Sequence, residues 1–283
     1  MFVDFHCHSD HSDGTNSVAG IIEESVESRI AALSITDHDT LAGQVEAGEL
    51  SSQMGIRYVR GVEISCDFHE TLDILGYGMI SSAASIENQL KEIRLKRDLR
   101  NTRILSMLRS LGVQITDEEL EYSFPGESLG RPHIANLIVK KGYADSIEEA
   151  FSQFIGREGR AYVEKEKLSI RAAIELILSA EGIPVLAHPL SMMLDHDQTV
   201  EMIRTMKSCG LKGIEVFYKT YDIETRSELL EISKKLDLLA TGGSDYHGEH
   251  KKNLELGIEI PDDFVCSFLE SLPANDGLDD QNL

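Results

Sequence analysis

Residues 1–15 read MFVDFHCHSDHSDGT. Phe2, Val3 and Phe5 have the pattern of a short buried strand, and the polar residues gather where that strand should run out into a loop. Side chains two apart on a strand point to the same side. Asp4, His6 and His8 should therefore share one side, with Cys7 facing the other. Two imidazoles placed in this way can bind one cation or two adjacent ones. An H-x-H pair alone fits a polar strand end equally well, so the rest of the chain has to decide.

Outward from that strand, the first part of the chain alternates strand and helix. Strands are predicted over 2–6, 32–36, 58–64 and 72–77. Helices are predicted over 17–29, with Ser17 as N-cap, and over 40–54. The alternation resumes with helix 170–180, strand 184–187, helix 199–208, strand 213–217, helix 223–236, strand 238–241 and helix 261–272. Repeated βα units imply a largely parallel sheet, open or closed into a barrel. The middle differs. Residues 85–111 read as one long helix with Leu90, Ile93, Leu95, Leu99, Ile104, Leu105 and Leu108 on its apolar side, followed by helices near 132–140 and 146–154. No strand is predicted between 82 and 159. The expected organisation is an α/β domain from 1–81 and 160–273, a helical insertion at 82–159, and a fraying acidic tail at 274–283.

Composition narrows the function. The hydrophobic fraction of 41% and charged fraction of 27% are those of a folded soluble chain. No apolar run approaches the ~20 residues of a membrane span, and the N-terminus has no leader pattern. The four cysteines form no C-x-x-C pair and no disulfide-like framework, which points to a reducing, cytoplasmic setting. A net charge of −22 repels polyphosphate at long range. Long DNA or RNA is therefore not an expected partner, whereas a small phosphorylated molecule or the end of a short oligonucleotide is compatible. No obligate protein partner is inferred.

Further metal-ligand residue types stand at or just past the ends of other predicted strands. ITDHDT places His38 there, GVEIS places Glu63, VLAHP places His188, and TGGSDYHG places Asp245 and His247. Ligands bind at the C-terminal edge of barrels and open α/β sheets. A His/Asp/Glu set suits Mn, Fe or Zn without cysteine.

The run H-x-H-S-x-x-S-D-G-T, followed in order by ITDHDT, GVEIS, AHP and GSDYH, resembles the PHP (polymerase and histidinol phosphatase) superfamily. The resemblance implies a metal-dependent phosphoesterase with a distorted β/α barrel of seven-stranded type. It also implies two or three divalent ions, Mn²⁺ foremost with Fe²⁺ or Zn²⁺ as alternatives, held by His6, His8, Asp13, His38, Glu63, His188, Asp245 and His247. One position departs from the pattern. In LDILGYG, Asp73 stands where such proteins commonly have histidine. Asp73 is favoured as the ligand over His69, and the change puts the third ion in doubt.

Within the predicted insertion, GRPHIA opens a helix with Pro132 in its first turn. Arg131 can grip phosphate with two parallel hydrogen bonds, and His133 can donate to it. This motif resembles the PHP subgroup of nucleoside 3′,5′-bisphosphate phosphatases and of relatives that trim short RNA from the 5′ end. Arg97 and Arg100 resemble an R-x-x-R pair of that subgroup, and a solvated basic helix face accounts for them equally. The implied reaction is attack on phosphorus by a metal-activated hydroxide, with Asp245 in the catalytic centre and His188, His247 or a metal-bound water as proton donor to the leaving group. Asp4 and Asp37 are expected to orient the histidines. His11, His196 and His250 are read as surface residues. Tyr218 and Tyr221 could flank a base or simply pack. The alternatives are a phosphatase of a metabolite such as histidinol phosphate, and a non-catalytic scaffold module.

Overall fold

The computed structural model describes residues 1–79, 83–124, 129–164 and 167–273, so the predicted tail lies outside the described residues. The chain divides into two compact units, Met1–Gln89 with Lys167–Leu283, and Leu90–Glu166.

In the first unit seven strands close a distorted barrel. They are β1 (Phe2–Cys7), β2 (Ala32–Ile35), β4 (Gly61–Ser65), β5 (Asp73–Tyr77), β6 (Ile183–Leu186), β7 (Gly213–Tyr218) and β8 (Leu239–Gly243). Two short strands, β3 (Arg57–Tyr58) and β9 (Ile258–Glu259), extend the β1–β2 sheet to the order β3-β2-β1-β9. The other sheet runs β4-β5-β6-β7-β8. The two sheets meet at two single parallel bridges, His38 to Glu63 and Cys7 to Tyr246. Both seams involve residues at or beside the expected ligands. On the flank of β1 and β2, the helices α1 (Val18–Glu27) and α2 (Gln44–Met54) cover a core containing Val18, Ile21, Ile22, Leu33, Ile35, Ala47 and Cys7. Ser17 caps α1 by accepting from Gly20 N, as its sequence position predicts.

Two expectations are corrected. The sheet is less parallel than the βα repeat suggests, because β5 runs antiparallel to both β4 and β6. The link from β4 to β5 is too short for the crossover helix that a parallel pair requires. Residues 58–64 are also not one strand. Tyr58 pairs with Leu33 in one sheet, while Gly61 pairs with Tyr77 in the other. Gln44 holds this crossing. Its amide donates to Ile35 O at 2.9 Å, and its carbonyl accepts from the Tyr58 hydroxyl at 2.8 Å and from Gly61 N at 3.0 Å.

The second unit is helical among its described residues. It contains most of α3 (Ala83–Ser110), then α4 (Asp117–Ser123), α5 (Arg131–Lys140), α6 (Ile147–Ala150) and a π-helical turn (Phe151–Ile155). Its core is Ile104, Leu105, Leu108, Ile115, Leu120, Ile134, Leu137, Ile138, Phe154 and neighbours. Leu95 and Leu99 are not part of the buried stripe of α3; they are 52% and 60% exposed. The stripe keeps its 3.6-residue period through Leu90, Ile93, Arg97, Arg100, Asn101, Ile104 and Leu108. Two of its polar members donate to carbonyls: Arg100 Nε to Val163 O and Asn101 Nδ2 to Leu129 O, both at 2.9 Å. Phase, not residue type, decided which side went in.

Replacing Gln44 by Leu strips partners from three buried polar groups. Gln44→Leu should cost about 3 kcal/mol, seen as a lower urea midpoint with an unchanged m-value.

Candidate metal centre

The barrel brings together side chains from distant parts of the chain. His6 and His8 project from the end of β1 with their rings 5.3 Å apart, while Cys7 turns the other way and donates to Ser34 O. Glu63 lies between the histidines. Its Oε2 is 3.4 Å from His6 Nε2, 3.2 Å from His8 Nε2 and 3.2 Å from His38 Nδ1, and its Oε1 is 3.1 Å from His188 Nε2. Asp245 Oδ1 lies 3.6 Å from His6 Nε2 and 3.5 Å from His8 Nε2. Asp13 returns from the loop after β1, with Oδ1 3.4 Å from His247 Nε2 and Oδ2 3.7 Å from His38 Nε2. Asp73, at the start of β5, is buried with Oδ2 3.8 Å from His188 Nε2. His69 is exposed and stacks near Phe68.

Three overlapping groups have ligand atoms within 4.8 Å of one another: His8, Asp13, His38 and His247; His6, His8 and Glu63; and His38, Glu63 and Asp73. Among the described residues, His6 Nε2, His8 Nε2 and His38 Nδ1 are buried without a hydrogen-bond partner. Buried ring nitrogens left in this state and facing carboxylates fit a metal ion well. Without an ion, burial works against the charge on His6 and His8. The carboxylates prevail, however: Glu215, Glu63 and Asp245 raise His6 well above the usual histidine range, and Asp245 with Glu63 brings His8 to about 10. His188 is raised to about 9 against its burial, chiefly by Glu63. Burial lowers His247, with His8 adding to the effect. Glu63, Asp13 and Asp245 remain well below the carboxylate range, because the facing imidazoles outweigh their desolvation.

Glu215, a carboxylate within the apolar strand β7, is a central residue that the sequence reading missed. It is fully buried. Its Oε1 accepts from His6 Nδ1 at 3.0 Å, which leaves Nε2 to face the cluster, and its Oε2 accepts from His188 N at 2.7 Å. His188 has φ of +26° and Asp245 φ of +56°, a region that costs non-glycine residues about 1–3 kcal/mol. Glu215 pins the first, and Asp245 N is pinned by donation to His6 O at 2.7 Å. The signal in the sequence was one charged residue in GIEVF, on the side that faces into the barrel.

Of Asp4 and Asp37, both expected to orient the histidines, Asp4 reaches only backbone and hydroxyl donors among the described residues. Asp37 reaches an imidazole only through Ser12, whose hydroxyl lies 3.5 Å from His8 Nδ1. Asp4 accepts from the backbone of His6, Ser244 and Gly257 and so ties β1 to β8. Asp37 accepts from Ser9 N and from the Ser9 and Ser12 hydroxyls, fixing the loop that carries Asp13. Carboxylates buried this deeply go first to backbone donors that have no other partner. His250 is exposed, yet its Nδ1 lies 2.9 Å from Asp13 O. His11 is half-buried beside Gly43 rather than on the surface. His196 is exposed at the start of α8 (His196–Ser208). Both tyrosine hydroxyls are occupied, Tyr218 donating to Asp245 Oδ2 at 2.7 Å and Tyr221 accepting from Leu190 N at 3.0 Å. Lys251, also unforeseen, reaches Asp245 Oδ2.

In the second unit, Arg131 opens α5, donates to Ile155 O at 3.3 Å, and lies 5.7 Å and 5.9 Å from the Phe151 and Tyr162 rings. His133 is buried and serves as a cap, its Nδ1 accepting from Gly130 N at 3.0 Å. Arg97 is buried on α3. Burial, with Arg131 nearby, lowers Arg100 to about 10.

Removing the Glu215 carboxylate frees the ring of His6 and the strained backbone of His188. Glu215→Ala should weaken divalent-metal binding on the order of 10- to 100-fold, measured by competition with a chelator.

A sequence profile of the PHP domain matches residues 4–183, more than half of the chain. A 5′-3′ exoribonuclease of Haemophilus influenzae is 30% identical over 89% of this chain and 94% of its own. A 3′,5′-nucleoside bisphosphate phosphatase of Chromobacterium violaceum is 26% identical over 90% of each. A phosphoribosyl 1,2-cyclic phosphate 1,2-diphosphodiesterase of Eggerthella lenta is 26% identical over 92% of this chain and all of its own. A solved structure from Bifidobacterium adolescentis, described as a metal-dependent phosphoesterase, superimposes with a TM-score of 0.83 at 30% identity over 97% of both chains. Among the described residues no helix is long and apolar enough to cross a membrane. The chain belongs to the PHP family of metal-dependent phosphoester hydrolases.

Proposed function

We propose that the protein is a phosphomonoesterase that removes the 3′-phosphate of nucleoside 3′,5′-bisphosphates and also trims short RNA from its 5′ end. The observation that carries the reading is the gathering of imidazole nitrogens and carboxylate oxygens within 4.8 Å at the strand ends. The names of two relatives support the substrate class. In this reading His6, His8, Asp13, His38, Glu63, Asp73, His188, Asp245 and His247 hold two or three divalent ions, Mn²⁺ foremost. Bound there, the ions would supply Lewis acidity and a nucleophile at neutral pH.

The chain's own residues have separable tasks. Glu215 keeps His6 in one tautomer and His188 in its strained conformation. His247 donates from Nδ1 to Asp245 O at 2.8 Å, which leaves its Nε2 to face Asp13 Oδ1 at 3.4 Å. His188 Nδ1 meets the Ser191 hydroxyl at 2.8 Å, which likewise leaves Nε2 for the chemistry. Either imidazole can deliver a proton to the leaving oxygen only where its Nε2 does not hold an ion, so the one that serves as a ligand leaves that role to the other. From the helical unit, Arg131 is assigned to a substrate phosphate, with Arg100, Arg97 and His133 beside it in that role. The Eggerthella relative favours one second reading, hydrolysis of a cyclic phosphodiester at the same centre.

The deciding measurement is turnover with Mn²⁺: phosphate release from adenosine 3′,5′-bisphosphate and from histidinol phosphate, mononucleotide release from a 5′-phosphorylated oligoribonucleotide, and ring opening and phosphate release from phosphoribosyl 1,2-cyclic phosphate. Turnover of the bisphosphate is expected. Turnover of the cyclic diester alone would select the second reading, and turnover of histidinol phosphate alone would overturn both. His8→Ala and Asp245→Ala should each lose on the order of 10³-fold or more in kcat. Arg131→Ala should instead raise KM about tenfold with little change in kcat.

A further inference from the structure

Asp245 divides its oxygens between two sets of partners. Oδ1 faces the imidazoles of His6, His8 and His247, the last with Nδ1 at 3.4 Å. Oδ2 receives the Tyr218 hydroxyl at 2.7 Å and the Lys251 ammonium at 2.5 Å. Lys251 ends the 3₁₀ turn Gly248–Lys251. The turn is anchored to the loop after β1: Glu249 N donates to Thr15 Oγ1 at 2.9 Å, and Thr15 N donates to His247 O at 3.3 Å. Gly248 has φ of +60°, and a Cβ there would lie 2.2 Å from Thr15 Oγ1. The ammonium is thus delivered to Asp245 by a braced turn.

We infer that Lys251 is a built-in counter-ion of the metal centre. It shares Asp245 with the ion that this carboxylate helps to hold, weakens the grip on that ion, and keeps the carboxylate in place when the ion is absent. The inference rests on the reading of Asp245 as a ligand. Two effects act in the same direction. A hydrogen bond from an ammonium draws charge out of the carboxylate and makes Oδ1 a poorer donor. A fixed positive charge also repels a divalent ion nearby, and a half-buried site screens that repulsion incompletely. In the empty centre the same charge adds to that of the facing imidazoles in offsetting Asp13, Glu63, Asp73 and Asp245. Tyr218 orients the same oxygen without adding charge, so orientation and charge can be tested apart. Neither residue is assigned a contact with the reacting phosphate.

The test is Mn²⁺ affinity of the full chain, by competition with a chelator, together with the melting temperature of the chelated protein. Lys251→Met should bind its most weakly held Mn²⁺ at least roughly tenfold more tightly than wild type, and its chelated form should melt lower. Lys251→Gln carries the same expectation with a polar replacement. Lys251→Arg should restore wild-type behaviour. Tyr218→Phe, which leaves the charge in place, should shift affinity by less than about threefold. Unchanged or weaker Mn²⁺ binding in both Lys251→Met and Lys251→Gln would overturn the inference and leave the metal centre intact. Wild-type protein that binds no Mn²⁺ would overturn the metal centre as well.

Discussion

Carboxylates buried at the end of a barrel need positive charge or donors close at hand, because the desolvation cost of an isolated buried ion exceeds what surrounding apolar contacts return. Here Glu63, Asp73, Asp245 and Glu215 are buried within one region of one unit, with half-exposed Asp13 at its edge. The facing imidazoles of His6, His8 and His188 are raised as a consequence. Much of the surrounding architecture serves this requirement. Asp4 and Asp37 are also buried, but they are spent on backbone and hydroxyl donors and so hold the strands and loops that aim the ligands.

The barrel suits this arrangement because it is incomplete. Single bridges, not full ladders, join its two sheets, at His38–Glu63 and Cys7–Tyr246. A continuous ladder would engage the backbone in regular pairing and set side chains alternately in and out. A single bridge lets the chain leave the sheet sharply, as it does at Asp245, beside the Cys7–Tyr246 bridge and with positive φ; His188, just past β6, also has positive φ. That strain is sustained by hydrogen bonds that His188 N donates to Glu215 Oε2 and Asp245 N donates to His6 O, in keeping with the clustering of unusual backbone conformations at functional sites. At Gly243, β8 passes so close to β1 that a Cβ would lie 2.4 Å from His6 Cβ. A side chain at that position would push the strand away from its ligands.

Much of the clustered His, Asp and Glu set was legible in the sequence as candidate ligands, because strand ends carry period-2 patterns that stop at polar residues. Glu215 was not legible. It lies inside an apolar strand, and whether such a residue faces the barrel interior or its covering helices depends on register. Lys251 and His250 follow the last ligand in a loop with no periodicity, and only the fold of that turn shows where they point. Leu95 and Leu99 misled for the opposite reason. They look apolar, but they lie off the 3.6-residue phase of α3, whereas Arg100 and Asn101 lie on it and donate to the carbonyls of Val163 and Leu129.

The sequence by itself determined the βα alternation, the helical middle and the identity of most candidate ligands, since these depend on local periodicity and on residue chemistry at segment ends. Tertiary structure alone decided that β5 runs antiparallel, that residues 57–65 serve two sheets, and that His6 is aimed by a glutamate 209 positions away. It also decided that Asp245 gives one oxygen to the imidazoles and the other to Lys251 and Tyr218. Those outcomes depend on distance and direction between segments far apart in the chain, which no local pattern encodes.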